Sequence, residues 1–158
     1  NYLISKLLQG WWTLREIKKI VIHCSDSEWG TRADIDTWHK ARGWDGIGYH
    51  YVITNGVQHS CYKYREKDDG LIQNGRPIEK QGAHVKGHNK DSVGICLIGK
   101  HHFTGKQLYS ALPTLLNMLM VSYHLTPEDV YGHNQYDPDK TCPTFDVGWL
   151  RDILKANE

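Results

Sequence analysis

The segment Ile17-Lys-Lys-Ile-Val-Ile-His-Cys-Ser25 decides the fold class. Its centre, Ile20-Val21-Ile22, is a continuous β-branched run rather than an alternation of apolar and polar residues. That is the pattern of a strand buried on both faces, and such strands belong to sheets covered by helices on both sides. The run ends in His23, and open α/β sheets hold their ligands beyond the carboxyl ends of strands. An imidazole in a buried strand is costly unless its nitrogens are satisfied. His23 and Cys24 are adjacent, so their side chains point to opposite faces. One of the two is expected to be a ligand and the other a core residue, and the strand-end position favours His23.

Working outward, Ser92 to Gly99 reads as another buried strand and Gly48 to Thr54 as a β-branched and aromatic one. A helix is expected from Asp34 to Arg42, with Ile35 and Trp38 three apart and Gly43 ending it. Asn55-Gly56 signals a tight hairpin, with Val57 to Tyr62 as the return strand and 63–70 as an exposed charged loop. Thr104 and Gln107 form a capping box ahead of Leu108, Leu112, Leu115, Leu116, Leu119 and Tyr123 at helical spacing. Pro113 inside that pattern should kink or restart the helix. Asp146 reads as the N-cap of a last helix, stapled by Phe145 and Leu150. The expectation is one α/β domain over 17–158, a central mixed sheet flanked by helices on both faces. Residues 1–16 read as an N-terminal extension, with Leu3, Leu7, Leu8 and Trp11 on one side of a short amphipathic helix.

The 158 residues suit one domain, and the formal charge of +1 argues against nucleic acid or an anionic membrane as partner. No run approaches the roughly 20 apolar residues of a membrane span, so no stable insertion is expected. Residues 1–12 lack the pattern of a secretory signal. Four cysteines (Cys24, Cys61, Cys96, Cys142) include no C-x-x-C pair. Reduced thiols in the cytoplasm are the expectation, which leaves a thiolate free to bind metal.

The common local motifs are absent. There is no G-x-S-x-G and no H-E-x-x-H, and the P-loop-like stretch Gly99 to Gln107 is one residue too long and ends in Gln. A site must therefore be assembled from distant residues. His133 and Cys142 flank a turn-rich loop that can fold back on one ion. Two imidazoles and one thiolate would leave a fourth position of a tetrahedral zinc site open to water, as catalysis needs.

Six blocks carry a resemblance: Ile20-Val-Ile-His-Cys-Ser25, Gly48-Tyr-His-Tyr51, Gly82-Ala-His-Val-Lys-Gly-His-Asn89, Ser92-Val-Gly-Ile-Cys-Leu-Ile-Gly99, Gly132-His-Asn134 and Lys140-Thr-Cys-Pro-Thr-Phe-Asp146. In order and spacing, from about residue 17 to 155, they resemble the zinc N-acetylmuramoyl-L-alanine amidases. This is the amidase-2 group, which includes amidase-type phage lysozymes and shares its fold with peptidoglycan recognition proteins. The resemblance implies one Zn²⁺ on His23, His133 and Cys142, catalytic help from Tyr49 and Lys140, and substrate contacts at His84 and Asn89. On the residues alone, Tyr49 would pass for a core aromatic and Lys140 for a solvated loop lysine. Cys96 stands where some cytoplasmic relatives carry a catalytic glutamate, so a glutamate base is not expected.

The implied reaction is hydrolysis of the amide between N-acetylmuramic acid and L-alanine of peptidoglycan, by water activated on zinc. The implied setting is a monomeric phage or prophage endolysin, held in the host cytoplasm before it reaches the periplasm or wall. A non-catalytic receptor of the same fold and a muropeptide-recycling amidase are the alternatives. His88, His101 and His102 are expected at the surface, and residues 58–69 as a variable loop beside the cleft.

Overall fold

The computed structural model describes residues 15–156. Residues 1–14, with the expected amphipathic helix, lie outside the described residues. Five strands form one sheet: β1 (Lys19–Cys24), β2 (Tyr51–Asn55), β3 (Asp69–Asn74), β4 (Ser92–Leu97) and β5 (Val130–Gly132). The order across the sheet is β3-β2-β4-β1-β5. β1 runs parallel to β4 and β5, β2 parallel to β4, and β3 antiparallel to β2 at the edge. The sheet is therefore mixed, and the strand expected at Ile20–Ile22 lies inside it.

Side-chain alternation divides the core in two. Ile20, Ile22, Ile53, Ile95, Leu97 and Val130 pack against α2 (Leu112–Tyr123) and α3 (Val147–Ala156). Val52 and Cys96 face the other way, against Ile35 and Trp38 of α1 (Arg32–Ala41). Helices thus cover both faces. Both layers exclude water almost completely: Ile20, Ile22, Ile95, Leu112 and Leu116 in the first and Val52, Cys96 and Ile98 in the second are 0% exposed. Burying each such side chain stabilises the fold by about 1.5–3 kcal/mol before entropy is counted.

Local chemistry explains the helix ends. Thr31 caps α1 in a reciprocal box with Asp34, and Gly43 follows its last turn at φ +81°. Thr104 and Gln107 exchange the expected capping bonds. The buried Gln107 amide also donates to the carbonyls of Ile53 and Ile98, closing the ends of β2 and β4. A π-helical turn over Gln107–Ala111 precedes α2, which places Pro113 in the first turn of the α-helix. That is the restart foreseen for Pro113, where the missing N–H costs little. Asp146 accepts from the Gly148 N–H at 2.8 Å at the start of α3.

The return strand differs from expectation. Gly56 adopts φ +84°, so the chain does turn at Asn55-Gly56. The Asn55 side chain then takes the Val57 N–H and donates to the Glu28 carbonyl, while the Gly30 N–H bonds the Val57 carbonyl. These bonds pull residues 57–59 toward the 27–30 loop instead of back along β2. His59 stacks on Trp29 with ring centres 5.3 Å apart. Pairing resumes only at Asp69, where Thr54 Oγ1 donates to the Asp68 carbonyl at 2.6 Å. Asp68 and Asp69 are consequently buried, not exposed.

Arg15, read as part of the extension, is anchored to the domain. Its guanidinium donates to the carbonyls of Ile78, Asn89 and Ser92. This ties the chain entering β1 to the segment that leads into β4.

Candidate metal centre and active site

Adjacent parallel strands end side by side here. His23 sits at the carboxyl end of β1, and His133 follows directly on Gly132 at the end of β5. The loop after His133 folds back through short turns: Tyr136 and Asp137 N–H groups donate to the His133 carbonyl, and Lys140 N–H to that of Asp137. Asn134 N–H then bonds the Cys142 carbonyl at 2.8 Å, which closes the loop. Ligand atoms of His23, His133 and Cys142 consequently all lie within 4.8 Å of one another. The His23 and His133 rings are 4.6 Å apart.

The electrostatics suit a cation. Burial, then the neighbouring His84 and His133, hold His23 well below its usual pKa. Burial likewise lowers His133, with Asp137 opposing and Lys140 reinforcing the shift. Both rings are neutral near pH 7, the form a metal takes. The Cys24 N–H donates to Cys142 Sγ at 3.0 Å. The Cys142 thiol in turn reaches toward the Cys24 carbonyl at 3.9 Å. The two sulfurs thus sit close together at the edge of the site. Cys24 is buried as expected of a core residue, but its backbone N–H also serves the site. Two imidazoles and a thiolate are a donor set that suits a divalent d-block ion, and the residues fit such an ion.

Beside the three donors runs a cleft of about 510 Å³. His84, Asn89, His133 and Lys140 line it, so four of the seven site residues expected from the sequence meet there. Tyr49 lies beside His23, ring centres 5.0 Å apart. Burial raises its phenol well above the usual range, helped by the thiols of Cys96, Cys142 and Cys24. The phenol is thus a proton-bearing donor throughout the neutral range. Cys96 is 0% exposed and packs in the α1 layer, far from the role of a carboxylate base. Asn89 Oδ1 accepts the backbone N–H groups of His84 and Val85, so Asn89 shapes the cleft wall from within.

Sequence reasoning missed Trp44, Tyr136 and Asp137, which complete the cleft. Trp44 packs on the buried His39, ring centres 4.5 Å apart, and is 42% exposed. A single aromatic after the glycine that ends a helix carries no signal of this. His101 and His102 are exposed as expected. His88, expected at the surface, is half-buried against Tyr136 at 4.3 Å. No residue of the 58–69 loop lines the cleft.

Comparison with known proteins agrees with this geometry. Residues 13–145 match the family model described as N-acetylmuramoyl-L-alanine amidase. The endolysin of Klebsiella phage KP32 is 35% identical, over 91% of this chain and 93% of its own length. The endolysin of Escherichia phage T7 is 34% identical, over 88% and 89%. Among solved structures, the N-acetylmuramoyl-L-alanine amidase LysC of Clostridium intestinale superposes with a TM-score of 0.70 at 29% identity, covering 90% of this chain and 86% of its own. Drosophila peptidoglycan recognition protein LB shares the fold at a TM-score of 0.62 and 27% identity, covering 80% and 74%. Matched along most of its length by the family model and by these phage proteins, the chain belongs to the N-acetylmuramoyl-L-alanine amidase family and is a peptidoglycan amidase.

Proposed function

We propose that this amidase holds one zinc ion on His23, His133 and Cys142 and hydrolyses the amide joining N-acetylmuramic acid to the L-alanine of the stem peptide, acting as a monomeric phage-type endolysin. The observation that carries the reading is the convergence of three zinc-type donors beside an open cleft, at the carboxyl edge of the sheet. When bound, zinc supplies Lewis acidity and water of lowered pKa.

The chain's own residues supply the rest. The glycan and stem peptide lie along the cleft between Trp44 and Tyr136, over the wall built by residues 83–89. Negative charge develops on the scissile carbonyl oxygen. The Lys140 ammonium at the cleft rim and the protonated Tyr49 phenol are the donors for it. Each such donor typically accounts for 10²–10³ in rate. Hydrolysis consumes one water and leaves a lactyl carboxylate on the sugar and a free amine on alanine.

The phage relatives are endolysins; on this reading the enzyme accumulates in the host cytoplasm until it gains access to the wall. Among the described residues no helix is long and apolar enough to cross a membrane. The receptor alternative is disfavoured, since all three donors are present together with Tyr49 and Lys140. The test is incubation of purified sacculi with the protein at known zinc content. The reading expects free stem peptides with new amino-terminal alanine, lost on chelation. Glycan-chain cleavage, or peptide release unaffected by chelation, overturns it.

A further inference from the structure

His84 is only 8% exposed, so little of its ring is open to a substrate in the cleft. Its nitrogens are engaged elsewhere. Nδ1 lies 2.9 Å from His23 Nε2, and Nε2 lies 3.2 Å from Ser92 Oγ in the buried start of β4. The two imidazoles meet edge to face, at 88°. The backbone around it is fixed as well, since Asn89 Oδ1 holds the His84 and Val85 N–H groups at 2.8 and 2.9 Å.

The sheet is cut to receive this ring. Gly94 interrupts the buried β4, between Val93 and Ile95. A Cβ at Gly94 would lie 2.6 Å from His84 Cγ and Cδ2, and one at Gly82 2.5 Å from Cδ2. Glycine inside a strand marks a close approach, and here two glycines leave space for the same imidazole.

A hydrogen-bond direction follows. His23 Nε2 is taken by His84, so the nitrogen left to face His133 and Cys142 is Nδ1. For Nδ1 to offer a lone pair, the neutral ring must carry its proton on Nε2. That N–H donates to His84 Nδ1. The His84 proton is then on Nε2 and donates to Ser92 Oγ.

We propose that His84 is a positioning residue that fixes the tautomer and ring orientation of His23 for metal binding, with Ser92 fixing His84 in turn. The proposal rests on the metal-site reading above. Outer partners of ligand histidines commonly account for 10–100-fold in metal affinity. A residue that merely lines the cleft would not touch that quantity.

The experiment compares the full chain with His84→Leu and His84→Asn, titrated with Zn²⁺ against a chromophoric chelator. His84→Leu removes the acceptor and should weaken Zn²⁺ binding by about 10–100-fold. His84→Asn places an amide oxygen near the Nδ1 position and should recover most of the affinity. Circular dichroism and thermal unfolding of the metal-free proteins check folding. Histidine ¹⁵N spectra of the zinc-loaded wild type give a readout that needs no variant, and His23 should carry its proton on Nε2. Equal Zn²⁺ affinity in all three proteins, a raised KM as the sole effect, or a proton on His23 Nδ1 overturns the proposal alone. Failure of the wild type to bind Zn²⁺ overturns the metal site with it.

Discussion

Gly94→Ala sets two effects of opposite sign against each other. In a strand, alanine ordinarily stabilises relative to glycine by about 0.5–1 kcal/mol, because the unfolded chain loses freedom. At position 94 the new methyl would stand 2.6 Å from His84 Cγ and Cδ2 and 2.8 Å from Nδ1. Ordinary carbon contacts begin near ~3.5 Å, so the ring must retreat by nearly an ångström. Its far side is not free to give, because Gly82 already lies against Cδ2 and Ser92 holds Nε2. Overpacking of this kind costs about 1–3 kcal/mol, so the clash wins. The net loss is about 1–2 kcal/mol, which for a chain of this size lowers Tm by roughly 2–8 °C. Any shift of the ring also disturbs the 2.9 Å contact to His23. The assay is a double-mutant cycle with His84→Ala, read by thermal unfolding. Gly94→Ala should destabilise the parent and be neutral or stabilising once the ring is gone. If Gly94→Ala raises Tm equally in both backgrounds, the ring does not fill that space and the reasoning fails.

Cys142→Ser keeps the size of the side chain but replaces thiolate by a poor zinc ligand, and His23→Ala removes an imidazole. Elemental analysis should find both depleted of zinc, and full occupancy in either would refute the donor set. Lys140→Ala should lower sacculus hydrolysis by about 10²–10³ with zinc retained, whereas an unchanged rate would exclude Lys140 from the chemistry. Acid should destabilise the fold through His39 and His50, both lowered to about 4 chiefly by burial. The folded rings stay neutral until near that pH while unfolded ones protonate from about 6.5, so this stability is complete above 6.5 and lost as pH falls toward 4. Each titration removes up to about 3 kcal/mol. Denaturation midpoints at pH 7 and pH 5 measure this, and a flat profile would count against neutral buried imidazoles.

Much of this was legible in the chain. Ile20-Val21-Ile22 announced a two-sided strand because burial on both faces erases alternation, and β1 is 0% exposed there. The box at Thr104 and the cap at Asp146 are local bonds, closed within three residues, so local sequence suffices to read them. Tyr49 and Lys140 are marked by the family resemblance and not by composition or spacing. The return strand departs from its local signal because Asn55 spends its side chain on Glu28, a partner 27 positions away. The burial of Asp68 and Asp69 follows from that detour. The pairing of His84 with His23 spans 61 positions, and no local pattern encodes it. Gly94 looked like one more small residue in a strand, since its meaning lies in the ring that occupies the space above it. The reach of the Cys24 N–H toward Cys142 belongs to the same class of information.

The permuted strand order has a consequence in time. The first strand of the chain is held between β4 and β5, so it cannot complete its pairing until the last strand has been made. The Cys24 to Cys142 contact closes over 118 positions. A nascent chain on the ribosome therefore cannot bring the three donors together until residue 142 has emerged. Any fragment ending before residue 142 lacks one of the three donors and has no complete centre.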